Sequence, residues 1–457
     1  MKNTIDIKKY YKRSIDVQLY NWYKNTDNKT IALVSGARRI GKTYSLRFLG
    51  QTEFKRYEII DVQQLEKRVV NRLKNKGTNI NYFIEYLLLN FGISESEINE
   101  DLLIIFDEIQ EHGELKEAIS LFNSYFKCRF ACTGSALWID DTYGTRPTAD
   151  YEKFFVYPFS FEQFLTIIGD GYDLFENEKE EFDRRIEKSG NKKLLKLLRL
   201  YMVVGGMPQP IQHYLDNMNK DDVFASLQEC KKIAIITTYK NDLVRYSKDL
   251  KLRLLDTYSD IVRDIGRYRQ IEEVMPVYKK LEEMNLVIIA RNLLNVNRKL
   301  SLSVDKSFAK PFLLDIGVLF YYLCDNSNSL VVQSYCKTFV DGKDTDDNGF
   351  IYENFVASTL IQHGYNPYFK LFDASNIEGE EKTYELDFVF SGSKETIAIE
   401  SKSGKDKEHK SLELGLVKFN KIKSSYILCK SYKFDKKNSQ RGPHYIPFYA
   451  LVFLLEK

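Results

Sequence analysis

The sequence predicts an α/β protein built on a parallel sheet, and three observations carry that prediction. A glycine loop, Gly36-Ala37-Arg38-Arg39-Ile40-Gly41-Lys42-Thr43, lies between an apolar strand, Thr30 to Ser35, and a helix that opens at Lys42. A five-residue apolar run, Leu102 to Phe106, ends in Asp107-Glu108, the pattern of a strand buried on both faces with acids at its carboxyl end. Nearer the C-terminus, strands of two-residue alternation are interleaved with helical segments, which predicts a second, mixed sheet.

At 457 residues the chain exceeds what one hydrophobic core serves. A hydrophobic content of 44% and a charged content of 29% are those of a globular protein with ample core. Net charge is only +3, so no global field marks a polyanion ligand. From Ser391 to Lys457, however, fourteen Lys/Arg stand against seven Asp/Glu, which reads as a solvated face or a nucleic-acid patch. The six cysteines show no C-x-x-C pair and no zinc spacing with histidine. With a polar N-terminus and no apolar run near eighteen residues, they predict a reduced, cytoplasmic protein without membrane contact.

The glycine loop fits G-x-x-x-x-G-K-[ST], and each residue type has a reason. Gly36 and Gly41 let successive backbone N–H groups turn inward on phosphate oxygens, while Ala37, Arg38, Arg39 and Ile40 span the loop between them. The helix start at Lys42 adds unpaired N–H donors and a positive dipole end, with Tyr44 in its first turn. Lys42 supplies a mobile cation for the β/γ-phosphates and Thr43 a hydroxyl ligand for Mg²⁺. About 65 residues on, Asp107 is placed to hold Mg²⁺ through water, and Glu108 to polarise the water that attacks the γ-phosphate. Arg129 to Ser135 forms a further strand. Thr133 or Ser135 at its end is either a γ-phosphate sensor or a helix N-cap.

Other elements follow from periodicity. Helices are expected at Asn3–Lys24, Asn79–Asn90, Glu114–Phe126, Leu194–Val203 and over the long Asp221–Tyr246 pattern, and a strand at Tyr57–Asp61. Gly169 to Gly190 reads as an exposed connection or helix pair. Helices Leu252–Val262 and Pro276–Asn285, then paired short strands Leu286–Ala290 and Leu300–Val304, give the pattern of a winged helix. In its candidate groove helix Lys279 and Lys280 are matched by Glu282 and Glu283, a balance that does not favour phosphate contact.

The motif order resembles that of AAA+-type ATPases in which an AAA-14-type domain precedes a C-terminal DUF4143 domain. The matching pieces are the glycine loop, Phe106-Asp107-Glu108-Ile109-Gln110, Thr133-Gly134-Ser135, Arg146, the box Pro158-Phe159-Ser160-Phe161-Glu162, and Val204-Gly205-Gly206-Met207-Pro208. The resemblance implies ATP and Mg²⁺ as cofactors, a helical lid and a winged helix. It also implies an Arg146 near nucleotide, acting as a finger in trans within an oligomer.

In the C-terminal region a helix, Gly349–His363, carries Glu353. Strands are expected at Tyr368–Phe372, Tyr384–Phe390, Thr396–Lys402 and Ser425–Cys429, with a helix at Leu412–Lys421. Alternation sets Asp387 opposite Leu386 and Phe388, and puts Glu400 and Lys402 on one face. This resembles the PD-(D/E)xK nuclease pattern, with Tyr384-Glu385-Leu386 departing from the family's Pro-Asp-like turn. The resemblance implies Mg²⁺ on Glu353, Asp387 and Glu400, with Lys402 activating water or stabilising phosphorane charge. The five histidines read as structural or surface residues.

The expected architecture is therefore α/β: a P-loop ATPase core over residues 1–165, a helical lid over 166–250, a winged-helix-like module over 251–308 and a restriction-endonuclease-like mixed sheet over 309–457. Two functions fit. One is an Mg²⁺-dependent ATPase whose nucleotide state controls a C-terminal domain acting on DNA. The other is a slow ATP switch whose C-terminal domain only binds protein or nucleic acid.

Overall fold

The computed structural model describes residues 6, 10–25, 29–135, 150–182, 191–236, 239, 248–270, 275–296, 299–324, 327–343, 348–375, 380–392, 395–403, 410–430 and 443–456. The chain divides into two compact units, Met1–Tyr157 with Glu283–Asn285, and Pro158–Glu282 with Leu286–Lys457. Among the described residues no helix is long and apolar enough to cross a membrane.

The first unit runs α1 (Ser14–Lys24), β1 (Ile31–Ser35), α2 (Lys42–Glu53), β2 (Arg56–Asp61), α3 (Lys67–Lys74), α4 (Asn79–Phe91), β3 (Leu102–Asp107), α5 (Leu115–Tyr125), β4 (Arg129–Gly134) and β5 (Tyr151–Phe155). Its five strands are all parallel, in the order β2-β3-β4-β1-β5. Every residue of β1 and β4 is buried, as is β3 up to Phe106, which explains their continuous apolar runs. The helices bury amphipathic faces on this sheet. The Phe83 ring of α4 stacks on Phe122 at 4.2 Å and meets Phe106 and Phe130 of the strands. Because β4 separates β1 from β3, the glycine loop and the Asp107 strand end are held one strand apart.

In the second unit come α6 (Phe161–Ile168), α7 (Tyr172–Phe182), α8 (Lys192–Val204), α9 (Pro208–Asn217), α10 (Val223–Lys231), α11 (Lys248–Arg263), β6 (Arg269–Gln270), α12 (Met275–Glu283), β7 (Val287–Leu293), β8 (Val304–Leu313), α13 (Ile316–Cys324), α14 (Ser329–Val340), α15 (Gly349–Gln362), β9 (Tyr368–Ser375), β10 (Glu381–Ser391), β11 (Thr396–Ser401), α16 (Lys410–Lys418), β12 (Ile422–Cys429), β13 (His444–Pro447) and α17 (Leu451–Leu455). The strands form one mixed sheet, β13-β12-β11-β10-β9-β7-β8-β6. Helix α15 packs on β7, β8 and β11. It is pinned by the buried Asn354 amide, which accepts from Leu313 N at 2.8 Å and donates to Leu313 O at 3.0 Å.

Two motifs noted in the sequence meet here. Phe159 N–H donates to Gly206 O at 2.8 Å, and Gly206 N–H donates to the buried Asp315 carboxylate at 2.7 Å. A Cβ on Gly206 would lie 2.3 Å from Phe159 O, so the Gly-Gly break in the helical pattern allows a close backbone approach. Beside it the buried Lys231 ammonium donates to Val203 O at 2.5 Å and Gly317 O at 2.8 Å.

Several elements differ from expectation. Of the helix expected from residue 3, only Ser14 onward is helical among the described residues. The second strand of the expected wing does not lie at Leu300–Val304. Leu300–Leu302 is a 3-10 turn and the strand is Val304–Leu313, because its apolar half, Ala309 to Leu313, is what pairs with β7 and becomes buried. The expected boundary at 308 thus falls inside β8, and β7 and β8 continue through β9 into the sheet that carries Asp387 and Glu400.

Phe83→Ala removes the ring that joins α4, α5 and two strands. It is expected to lower the stability of the first unit by about 3–5 kcal/mol in denaturant unfolding.

Candidate functional site

The first site is built at the carboxyl ends of β1, β3 and β4. Gly36 leaves β1 where a Cβ would stand 2.5 Å from Val156 O, so only glycine lets the loop pass the neighbouring backbone. Gly41 takes the left-handed conformation (φ 99°) and caps α2 without a side chain. A helix start of this kind presents N–H donors and a positive dipole end to an anion. Ala37 and Ile40 are buried and anchor the loop, whereas Arg39 and Tyr44 are exposed and Arg38 is half-buried. The buried Lys42 ammonium donates to Gly36 O and Ala37 O, each at 3.0 Å.

Asp107 is the hub opposite this loop. Its Oδ1 accepts the Thr43 hydroxyl at 2.8 Å and the hydroxyl of the fully buried Thr133. Thr133 Oγ1 in turn accepts from Glu108 N–H at 3.3 Å. Glu108 sits in the left-handed region (φ 59°), a conformation uncommon outside glycine and concentrated at functional turns. Its carboxylate accepts from the Gln110 amide. Ser135 lies at the same strand end, its Oγ 3.5 Å from Gln110 Nε2. The structure therefore brings together Lys42, Thr43, Asp107, Glu108 and Ser135. Arg146 lies outside the described residues. The Thr133 hydroxyl orients Asp107 and the Glu108 backbone.

Sequence reasoning missed Arg13, which precedes α1. Its buried guanidinium donates to Ile40 O and Tyr157 O, both at 2.6 Å. Burial lowers its pKa to about 10, so it stays charged near neutral pH and braces the back of the glycine loop. Tyr10 adds a ring stacked on Phe48 at 4.0 Å. An arginine inside the expected Asn3–Lys24 helix carries no local signal of this role.

A second cluster of ionisable groups lies in the mixed sheet. Between Leu386 and Val389 the β9–β10 register slips, a bulge that re-aims Asp387. Asp387 Oδ2 accepts from Ser401 N–H at 2.9 Å. Glu400 is 3% exposed; its Oε1 pairs with the Lys402 ammonium at 2.6 Å, and its buried Oε2 has no hydrogen-bond partner among the described residues. Burial, reinforced by Asp387, pushes the Glu400 carboxyl up to about 8. Burial likewise raises Glu353 on α15 to about 7, with Lys310 pulling it back down.

Lys310 and Glu385 are the residues missed here. Lys310, 2% exposed on β8, pairs with Glu353 at 3.2 Å and with Glu385. Burial opposes its charge, but Glu353, Glu385 and Asp387 outweigh that and hold the ammonium well above the usual lysine range. A lysine inside the apolar run Ala309 to Leu314 was the available signal. It qualifies the expected metal set. The single group of three ligand atoms within 4.8 Å of one another among the described residues is Glu162, His363 and Glu456. Glu353, Asp387 and Glu400 do not form such a group, and Glu353 is paired with the Lys310 ammonium.

In comparison with known proteins, an AAA domain model matches residues 28–165, and the domain of unknown function DUF4143 matches residues 348–451. Among solved structures the chain is similar to the Walker-type ATPase PABY2304 of Pyrococcus abyssi, at 16% identity over 69% of this chain and 96% of that one, with a TM-score of 0.41. It is also similar to C. elegans PCH-2, at 12% identity over 48% and 66%, with a TM-score of 0.29. A third is the Aeropyrum pernix ORC1 protein in complex with DNA, at 12% identity over 73% and 95%, with a TM-score of 0.31. No curated protein matches the sequence. The first unit is thus an AAA-type, ATPase-like domain, and the second contains a DUF4143 match.

Raised carboxyl pKa values mean that the folded state binds those protons more tightly than the unfolded chain. The stability they contribute is complete below the ordinary carboxylate range and is lost as pH rises through about 7 to 8. In metal-free buffer the urea midpoint is expected to fall from pH 5 to pH 8.5. Glu400→Gln should reduce that pH slope by about one proton.

Proposed function

We propose that the first unit binds ATP with Mg²⁺ and hydrolyses it, and that its nucleotide state controls the second unit. One observation carries the reading: the Asp107 carboxylate, at the end of a parallel strand, is shared by the Thr43 hydroxyl of the glycine loop and the Thr133 hydroxyl. That pair sets a hydroxyl and a carboxylate side by side, the oxygen donor set an Mg²⁺ ion takes beside phosphates. When bound, Mg²⁺ would neutralise charge on the β/γ-phosphates.

Each residue then has a role. Lys42 exchanges two backbone carbonyls for phosphate oxygens, and the N–H groups of Gly41, Lys42 and Thr43 hold the phosphate chain. Thr43 and Asp107 would hold the ion, and Glu108 is placed to take the proton of the attacking water. Ser135 lies at the γ-phosphate end. Arg146 is the candidate finger supplied in trans within an oligomer. Helices α8 to α10 are read as the lid, and α12 with the β7–β8 ribbon as a winged-helix-like module.

For the second unit we propose a nuclease-like domain of PD-(D/E)xK type acting on DNA. What supports it is the bulge at Asp387 beside the buried, unpartnered Glu400 Oε2, with Lys402 on the same face. Asp387 and Glu400 are the oxygen ligands that fit a divalent ion there, and Lys402 would stabilise phosphorane charge. Glu353 reaches such an ion only after leaving Lys310.

A second reading, a slow ATP switch with a non-catalytic C-terminal domain, is favoured by the Gln110 amide, which holds the Glu108 carboxylate.

Lys42→Ala and Glu108→Gln are expected to lower ATP turnover by about 10²-fold or more; normal turnover in either would remove the site assignment. With supercoiled DNA and Mn²⁺, Lys402→Ala should abolish nicking. Absence of nicking in the unmodified protein, with ATP hydrolysis intact, selects the switch reading.

A further inference from the structure

The box Pro158-Phe159-Ser160-Phe161-Glu162 is not absorbed by either site. Its last residue, Glu162, lies in the first turn of α6, and its carboxylate faces the end of α15. There His363 Nε2 stands 3.5 Å from Glu162 Oε1. The Glu456 carboxylate, just past α17, completes a group whose ligand atoms all lie within 4.8 Å of one another. A tetrahedral ion with bonds of about 2.0–2.1 Å sets its ligands about 3.3 Å apart, so the observed spacing needs only a small closure.

Two further observations point to a ligand. Glu162 Oε2 is fully buried without a hydrogen-bond partner within 3.5 Å among the described residues; burial opposes its charge, but His363 and the Ser160 hydroxyl beside this carboxylate lower its pKa. His363 Nδ1 lies 2.9 Å from Thr359 O. That contact fixes the ring with Nδ1–H donating to a backbone carbonyl and turns Nε2 toward the carboxylates; burial opposes a proton there, but Glu162 outweighs it and raises the His363 pKa, so a divalent ion would take that proton's place. Lys179 of α7 pairs with Glu456 and is the resident cation that an ion would displace from that carboxylate.

We propose that Glu162, His363 and Glu456 form a divalent-cation site of zinc type, with one position left to water. Such a site would tie α6, the end of α15 and the segment after α17 together. It is independent of the nucleotide site and of the Asp387–Glu400 cluster.

The test is isothermal titration of the metal-stripped full chain with Zn²⁺, repeated with Co²⁺ while the visible spectrum reports tetrahedral coordination. The expected result is about one equivalent whose affinity falls about 10-fold or more in Glu456→Gln and is lost in His363→Ala. It should tighten in Lys179→Met and persist in Thr43→Ala and Asp387→Asn. Glu456 is exposed, so its variant keeps the test open if His363→Ala fails to fold. Chelator should lower the thermal midpoint of the unmodified chain but not of Glu456→Gln. Absence of zinc binding, or binding unchanged in Glu456→Gln and His363→Ala, would reduce the group to a His363–Glu162 ion pair and overturn the proposal.

Discussion

One carboxylate organises the first unit. Asp107 ends a strand that is otherwise wholly apolar, and it accepts two hydroxyls, one from the helix that follows the glycine loop and one from the strand between. Asp107 is half-buried, and each hydroxyl bond to its charge contributes about 1.5–3 kcal/mol, so the arrangement holds only while β3, β4 and α2 keep register. The register is set by the parallel ladder, in which Phe106 faces Cys132, one residue before Asp107 and Thr133 respectively. Sheet order and site geometry are thus the same constraint. Arg13 fixes the far side of the loop in the same way, by filling two backbone carbonyls with one charged group.

The second unit manages its buried charge differently. Lys310 and Lys231 are both almost fully excluded from water, yet their surroundings differ. Lys310 is ringed by carboxylates, which hold its charge; Lys231 is met mainly by backbone carbonyls, and burial pushes it down to about 8. A buried ion pair is a weak source of stability, but removing one partner leaves an uncompensated charge. Lys310 therefore decides how the Glu353 and Glu385 carboxylates are disposed, and with them how much of the acidic cluster remains for an external ion.

Much of the first site was legible because its signals are local. The glycine loop, the strand before it and the apolar run ending in Asp107-Glu108 are contiguous stretches whose residue types dictate their backbone. Convergence of Asp387, Glu400 and Lys402 was legible from alternation, since a period of two fixes the face. What was not legible depends on partners distant in sequence. Arg13 meets Tyr157 across 144 positions, and Lys310 meets Glu385 across 75. The β8 strand was misplaced because Leu300 to Val304 alternates regularly whereas Val304 to Leu313 does not, and only pairing with β7 selects the latter. His363 read as isolated because Glu162 and Glu456 approach it from other ends of the unit.

The central claim is that the Asp107 carboxylate, oriented by Thr133, helps hold Mg²⁺ against the nucleotide. The most direct measurement is ATP turnover against Mg²⁺ concentration in the unmodified protein and in Thr133→Val, which keeps the shape but removes the hydroxyl. The account predicts that the Mg²⁺ concentration for half-maximal turnover rises about 10-fold in the variant. An unchanged Mg²⁺ dependence in a folded Thr133→Val protein would contradict it.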